Sequence, residues 1–211
     1  MPNAQVRGVN IHYQVIGSAG PWVALITGGR RGHQELLPIA NKLAAKGYRV
    51  VLHDRRNTGA SDVVIDGMDG EEEIWTDDLA VMLKQLGAFV GGTSSGARTS
   101  MLFYLRHPEA VRGLLLMRVT GGAFAAGRLP DNYYGQFIKA AREGGMAAVC
   151  ATEQYQERIT ANPANRDRLM AMDPAKYIEV MQRWLAKFNA GLHTPVMGVT
   201  NEQLASIKVP T

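Results

Sequence analysis

The 211-residue chain has one cysteine, Cys150, so an internal disulfide is excluded. That usage fits a reducing cytosol, where thiols stay unpaired, and the expected location is cytoplasmic. No apolar run approaches the ~20 residues a membrane helix needs, so no membrane partner is expected. The opening Met1-Pro2-Asn3-Ala4-Gln5 lacks the basic-then-apolar pattern of a secretory signal. Internal repeats, low-complexity tracts and linker-like stretches are also missing. Nor is there an excess of one charge: 23 Lys and Arg face 19 Asp and Glu, for a net charge of +4. The cations are spread along the chain, no nucleic-acid-binding motif accompanies them, and the partner expected is a small-molecule substrate rather than a nucleic acid. Hydrophobic residues make up 46% and charged residues 20%, the balance of a soluble globular protein with one core and room for an accessory layer.

Periodicity supplies the order of elements. Gln5–Arg7 and Ile11–Val15 alternate as a hairpin turning near Gly8. Trp22–Ile26 is a continuous apolar run, as a strand buried on both faces requires. An apolar stripe from about Glu35 to Lys46 predicts a helix that Gly47 stops. Arg49–His53 reads as a strand, Asp77–Leu86 as a helix with Leu79, Met82, Leu83 and Leu86 inward, and Ala88–Val90 as a short strand. Ala97–Arg106 reads as a helix and Val111–Met117 as a further buried strand. From about Thr120 to Thr200 the pattern is mainly helical. Strands alternating with helices predict an α/β fold with a parallel sheet flanked by helices. The expected division is a core over 1–119, a helical cap over 120–200 and a return to the core over 201–211.

Two glycine-rich turns carry the chemistry. The first, Thr27-Gly28-Gly29, follows a buried strand. With the acidic Asp54 closing the next strand, it suggests a dinucleotide site and resembles the Thr-Gly-x-x-x-Gly-x-Gly fingerprint of short-chain dehydrogenases. Thr27, Gly28 and Gly32 fit that fingerprint. Gln34 stands where its last glycine belongs, and Tyr134 and Lys139 are one residue out of register for that family's Tyr-x-x-x-Lys pair. The other reading is a loop whose backbone closely approaches a ligand at Gly28 and Gly29.

The second turn, Gly91-Gly92-Thr93-Ser94-Ser95-Gly96, admits the G-x-S-x-G frame one way: Gly92, Ser94, Gly96. Glycines two before and two after let a serine sit on a sharp strand-to-helix turn, its hydroxyl lifted clear of the sheet. The segment Asp54 to Ser61 has the spacing Asp-x-x-x-x-Gly-x-Ser, and Arg106-His107-Pro108 closes the helix after the turn. With these segments in this order, the chain resembles the α/β-hydrolase superfamily from about Gln5 to Met117 and again near Leu204–Thr211. The resemblance implies Ser94 as nucleophile, with the N–H groups of Ser95 and Gly29 (or, one residue on, Arg30) as the oxyanion site. Thr27 replaces the usual His of that loop. Only Ala88, Phe89 and Val90 separate Gly87 from Gly91, fewer than relatives have.

The same resemblance places the triad acid and base after the cap, on segments this sequence does not contain, so neither is assigned, and the C-terminal part of the fold is expected to be absent. His33, in the first glycine-rich loop, is a candidate to line the pocket with Gly28 and Arg30. Arg30, Arg31, Arg55 and Arg56 lie where an anionic substrate group would be attracted. Tyr133, Tyr134, Phe137, Met146 and Trp184 are candidates for an apolar roof. His12, His53, His107 and His193 read as structural or solvated, and Cys150 as packing. The expected activity is hydrolysis of an ester or related acyl bond, with no metal or organic cofactor implied. Carbon–carbon bond hydrolysis and ligand binding without turnover remain open.

Overall fold

A computed structural model describes residues 2–84 and 86–211. Six strands form one sheet: β1 (Asn3–Val6), β2 (Val9–Ile16), β3 (Trp22–Ile26), β4 (Arg49–His53), β5 (Ala88–Thr93) and β6 (Val111–Met117), in the order β1-β2-β4-β3-β5-β6. β1 and β2 are an antiparallel hairpin, β2 runs antiparallel to β4, and β3 to β6 are mutually parallel. Val23, Ala24, Leu25, Val50, Leu52 and Val90 are buried on the central strands, which explains their unbroken apolar runs.

Helix α1 (Leu37–Ala44) follows a short 3-10 turn over His33–Leu36, so the predicted helix begins with a tighter turn. Helix α2 spans Glu71–Leu83, six residues earlier than the expected start at Asp77. Three acids in its first turn favour that end of the helix dipole, and Glu73 accepts a 2.6 Å hydrogen bond from the Gly70 N–H. Lys84, left-handed at φ 39°, ends the helix, so Leu86 lies beyond it and is exposed. Gln85, which fell within the expected helix, lies outside the described residues. The short Gly87–Gly91 interval is accommodated by starting β5 at Ala88, with an irregular register at Ala88/Phe89, and by carrying the strand through both glycines to Thr93.

Helix α3 (Ser95–Arg106) packs on β5 and leads to β6. A helical layer follows: α4 (Gly122–Pro130), α5 (Gln136–Ala151, interrupted at Gly144 and Gly145), α6 (Glu153–Ala161), α7 (Ala164–Met170) and α8 (Pro174–Ala190). This layer has its own apolar core around Phe137, Tyr155, Met181 and Trp184, which reaches the main body through Val63, Ile65 and Ile74. A short α9 (Asn201–Ala205) brings the chain back, and the Pro210 carbonyl accepts a 2.8 Å hydrogen bond from the Leu114 N–H on β6. Among the described residues, no helix is long and apolar enough to cross a membrane.

Candidate active site

Strand order decides where a site can form. From β3 the chain crosses to β4 on one side, while β5 lies on the other, so the loops leaving β3 and β5 part at a switch in connectivity. Those loops are Thr27–Arg30 and the serine turn. Gly28 packs against the serine turn: a Cβ there would lie 3.0 Å from the Thr93 carbonyl oxygen and 3.2 Å from the Ser94 Cβ.

Ser94 alone joins β5 to α3, at φ 55° and ψ −114°, a backbone geometry that a non-glycine residue adopts only when its surroundings impose it. The Ser94 N–H donates to the Met117 carbonyl at 2.9 Å, extending the β5–β6 pairing into the turn. The flanking glycines let α3 lie against β3: a Cβ on Gly92 would sit 2.6 Å from the Gly96 carbonyl carbon, and one on Gly96 2.7 Å from the Thr27 oxygen. Both approaches are to backbone, which cannot yield as a side chain can. The Ser94 hydroxyl is half-buried and lies 3.3 Å from the Thr120 hydroxyl. Among the described residues, no histidine or carboxylate hydrogen-bonds to it.

The loop after β3 is held from several sides. The Thr27 hydroxyl donates to the Arg31 carbonyl at 3.0 Å, so the residue that replaces the expected His closes the turn. Gly29 is left-handed at φ 56°. Its carbonyl accepts from the Arg55 guanidinium at 2.5 Å and from the Ser95 hydroxyl at 3.0 Å, while the Thr27 carbonyl accepts from Arg55 at 3.2 Å. Arg55 thus grips the peptide groups on both sides of the one that carries the Gly29 N–H. Among the described residues neither the Gly29 nor the Ser95 N–H makes a hydrogen bond.

The four loop arginines are already engaged. Arg30 forms a buried ion pair with Glu71, whose Oε2 also accepts from the Tyr134 hydroxyl at 2.9 Å. Burial opposes charge on Arg30, but Glu71 and the neighbouring tyrosines outweigh it and hold the guanidinium protonated. Arg31 pairs with Glu35 at the surface, and Arg56 makes a two-point contact with Asp78 at 2.9 and 3.0 Å. Arg55 is stacked on Trp75 at 4.1 Å, and burial, before any neighbouring charge, lowers its pKa to about 10. Arg30 is therefore not a free cation awaiting a substrate, and Arg55 holds the loop rather than facing outward.

His33 is fully buried, its backbone N–H and Nδ1 both hydrogen-bonded to Asp54 Oδ1 at 2.6 and 2.9 Å. That bond assigns the ring proton to Nδ1. Asp54 also accepts from the Ala60 N–H at 2.8 Å, and these bonds, against the upward push of burial, keep its carboxyl below the ordinary range. Ser61 donates to the Asp54 carbonyl at 2.6 Å and accepts from the His12 N–H at 2.9 Å. The Asp54, Gly59 and Ser61 spacing is thus a brace between β4 and β2. His12, His33 and Asp54 have ligand atoms within 4.8 Å of one another and are a possible metal set, although Asp54 Oδ1 is already shared by two donors.

Of the expected roof residues, Tyr134, Phe137, Met146 and Trp184 are buried in the core of the helical layer. Tyr134 reaches the loop cluster through Glu71, and the Tyr134 and Tyr133 rings lie under the Arg30 guanidinium at 4.8 and 4.9 Å. Cys150 is buried, and burial pushes its thiol up. Two cavities flank the Arg30–Glu71 pair, one of about 200 Å³ bordered by Glu71, Glu72, Arg98 and Tyr134, the other of about 190 Å³ bordered by Arg30 and Arg158. Sequence reasoning missed Thr120, Glu71 and Arg158, because nothing local marks a side chain whose partner lies on a distant element.

No protein-family model matches the chain. It is 38% identical over 114 residues to an uncharacterized hydrolase of Bacillus subtilis, YraK, covering 53% of this chain and 41% of that protein. It is 28% identical over 144 residues to a mouse sn-1-specific diacylglycerol lipase, covering 65% of this chain and 45% of the lipase. The chain thus spans less than half the length of either curated relative. Among solved structures, an enol-lactonase from Burkholderia xenovorans superposes with a TM-score of 0.59 at 22% identity, over 99% of this chain and 78% of that one. An α/β hydrolase from a Medee basin deep-sea metagenome library gives 0.62 at 15% identity, over 100% and 77%. The strand order, the serine turn between β5 and α3, and these likenesses make the chain a member of the α/β-hydrolase fold class.

Proposed function

We propose that the chain is the nucleophile-bearing part of a hydrolase that cleaves an ester or related acyl bond of a small organic molecule, with Ser94 as nucleophile. The observation that carries this reading is the left-handed Ser94 between β5 and α3, beside two N–H groups that have no acceptor among the described residues. Ser94 Oγ would attack the acyl carbon, its proton passing to a base. The carbonyl oxygen, gaining negative charge, would lie against the N–H groups of Ser95 and Gly29. Gly28 keeps that approach open, and the helices from α4 to α8 would act as a cap over it. The neighbours support the class: the names of the relatives and structures above are those of a hydrolase, a lipase and a lactonase.

Ligand binding without turnover is a second reading, favoured by the contact of Ser94 with Thr120 rather than with an imidazole. A fluorophosphonate probe applied to the protein as expressed from its own gene, followed by peptide mapping, separates the two. Labelling confined to Ser94 is expected for the hydrolase. An unlabelled Ser94 in folded protein leaves the binding reading.

A further inference from the structure

Three of the eight large apolar side chains exposed among the described residues, Val15, Val81 and Leu86, border a single cavity of about 470 Å³. Apolar residues scattered over a surface mean little, whereas a concave cluster of them marks a place where something binds. The cavity follows from how α2 ends. Lys84, left-handed at φ 39°, stops the helix, and β5 begins at Ala88, so no further turn of α2 covers β2 and β4 beyond that point. Val15 and Val51, paired across β2 and β4, form the floor together with Trp22, the first residue of β3. Val81 and Met82 at the end of α2 form one wall, and Ala4 and Val6 on β1 form the other. Trp22 begins the strand that ends at the Thr27 loop, so the cavity lies towards the end of the sheet away from Ser94.

Its volume falls within the roughly 300–1,000 Å³ of pockets that hold small molecules. The wall has one charged side chain, Lys84, and no acid; Gln5, Tyr13 and the Trp22 indole are its other hydrogen-bonding groups. Lys84 is exposed and forms no ion pair among the described residues. The end of α2 contributes roughly half a negative charge, so the full charge of Lys84 leaves the rim positive. Arg49, in register with Trp22 and stacked on its ring at 4.4 Å, adds a second cation without a carboxylate partner among the described residues. We propose that this cavity binds a medium-chain fatty acid as its anion, the aliphatic tail along Val15 and Val51 and the carboxylate at the Lys84 rim. A cationic amphiphile would meet Lys84 with its head, and a short carboxylate would leave the apolar floor uncovered. The site stands independently of the chemistry proposed for Ser94.

The test is calorimetric titration of the protein with sodium octanoate, sodium decanoate and decyltrimethylammonium bromide, all below micelle-forming concentrations. A diazirine-bearing undecanoic acid, crosslinked by light and mapped by peptide, locates the site. Saturable one-to-one binding of decanoate is expected, about tenfold tighter than octanoate because two more methylenes are buried. The ammonium analogue should bind at least tenfold more weakly than decanoate. Crosslinks should fall within residues 4–15 or 81–86. Val81→Trp, which fills the cavity from an exposed position, should weaken decanoate at least tenfold, and the crosslinks decide the matter if that variant does not fold. Absence of saturable decanoate binding, no gain over octanoate, equal binding of the ammonium analogue, crosslinks outside those two segments, or unchanged affinity in folded Val81→Trp would overturn the proposal.

Discussion

Arg55→Met separates the two jobs that a buried cation can have. Lowering its pKa from 12.5 to about 10 corresponds to about 3 kcal/mol of opposition to its charge, which the substitution relieves. Against this, the Thr27 and Gly29 carbonyls lose their guanidinium donor, at roughly 1–3 kcal/mol for each acceptor left unsatisfied, and the stacking on Trp75 is lost, worth up to about 2 kcal/mol. Ser95 still donates to Gly29, which limits the first loss. The terms nearly cancel, so stability should change by less than about 2 kcal/mol. The Gly29 N–H, no longer fixed from both sides, should serve an oxyanion poorly, and kcat should fall roughly 100-fold with little change in KM. Urea unfolding and aryl-ester kinetics on the same preparation measure both quantities. An unchanged kcat would refute the positioning argument, and a stability loss beyond about 4 kcal/mol would show that Arg55 is mainly a structural anchor.

Ser94→Ala should abolish ester turnover, whereas Ser95→Ala, which removes a 3.0 Å hydrogen bond to Gly29 and a 3.4 Å one from Arg55, should cost no more than about tenfold in kcat; equal losses would undo the assignment. Burial first, and Arg55 second, lower the His53 pKa to about 4, so the folded chain takes up this proton only near pH 4 while the unfolded chain does so from 6.5. The corresponding stability is present above pH 6.5 and lost as pH falls towards 4, about 3 kcal/mol in all. His53→Asn should flatten that part of a urea-midpoint profile, and an unaltered slope would count against it. Arg158→Met should raise stability by about 1–2 kcal/mol, since it removes a buried guanidinium whose nitrogens have no hydrogen-bond partner among the described residues, at the loss of one ring contact; a fall in melting temperature of similar size would mean that the guanidinium has a partner.

What could be read from the sequence was what backbone geometry demands. Gly92 and Gly96 are legible because only glycine tolerates a helix and strand in backbone contact, and the period-two and apolar runs fixed the strands for the same local reason. The start of α2 was hidden because Glu71, Glu72 and Glu73 look like a solvated loop until their cations are known. The loop arginines looked free for the converse reason: their carboxylates lie on other elements, 41 residues away for the Arg30–Glu71 pair. Arg158 was wholly illegible, because being unpartnered is a property of the folded surroundings and leaves no mark on neighbouring letters.

The first turn of α2 ties three parts of the molecule together. Glu71 holds Arg30 of the β3 loop, Glu72 holds Arg98 on α3 one turn beyond Ser94, and Glu73 holds Lys187 on α8. Consecutive helix positions point about 100° apart, which is how three adjacent acids reach three directions. The arrangement therefore behaves as a keyed shaft. Inserting or deleting one residue directly after Glu73 would turn all three acids away from their cations at once, while the same change in the loop ahead of Gly70 would leave the phase of the helix intact. Length variation among homologues should accordingly be confined to the loop and absent from the turn, even where the acids themselves are exchanged.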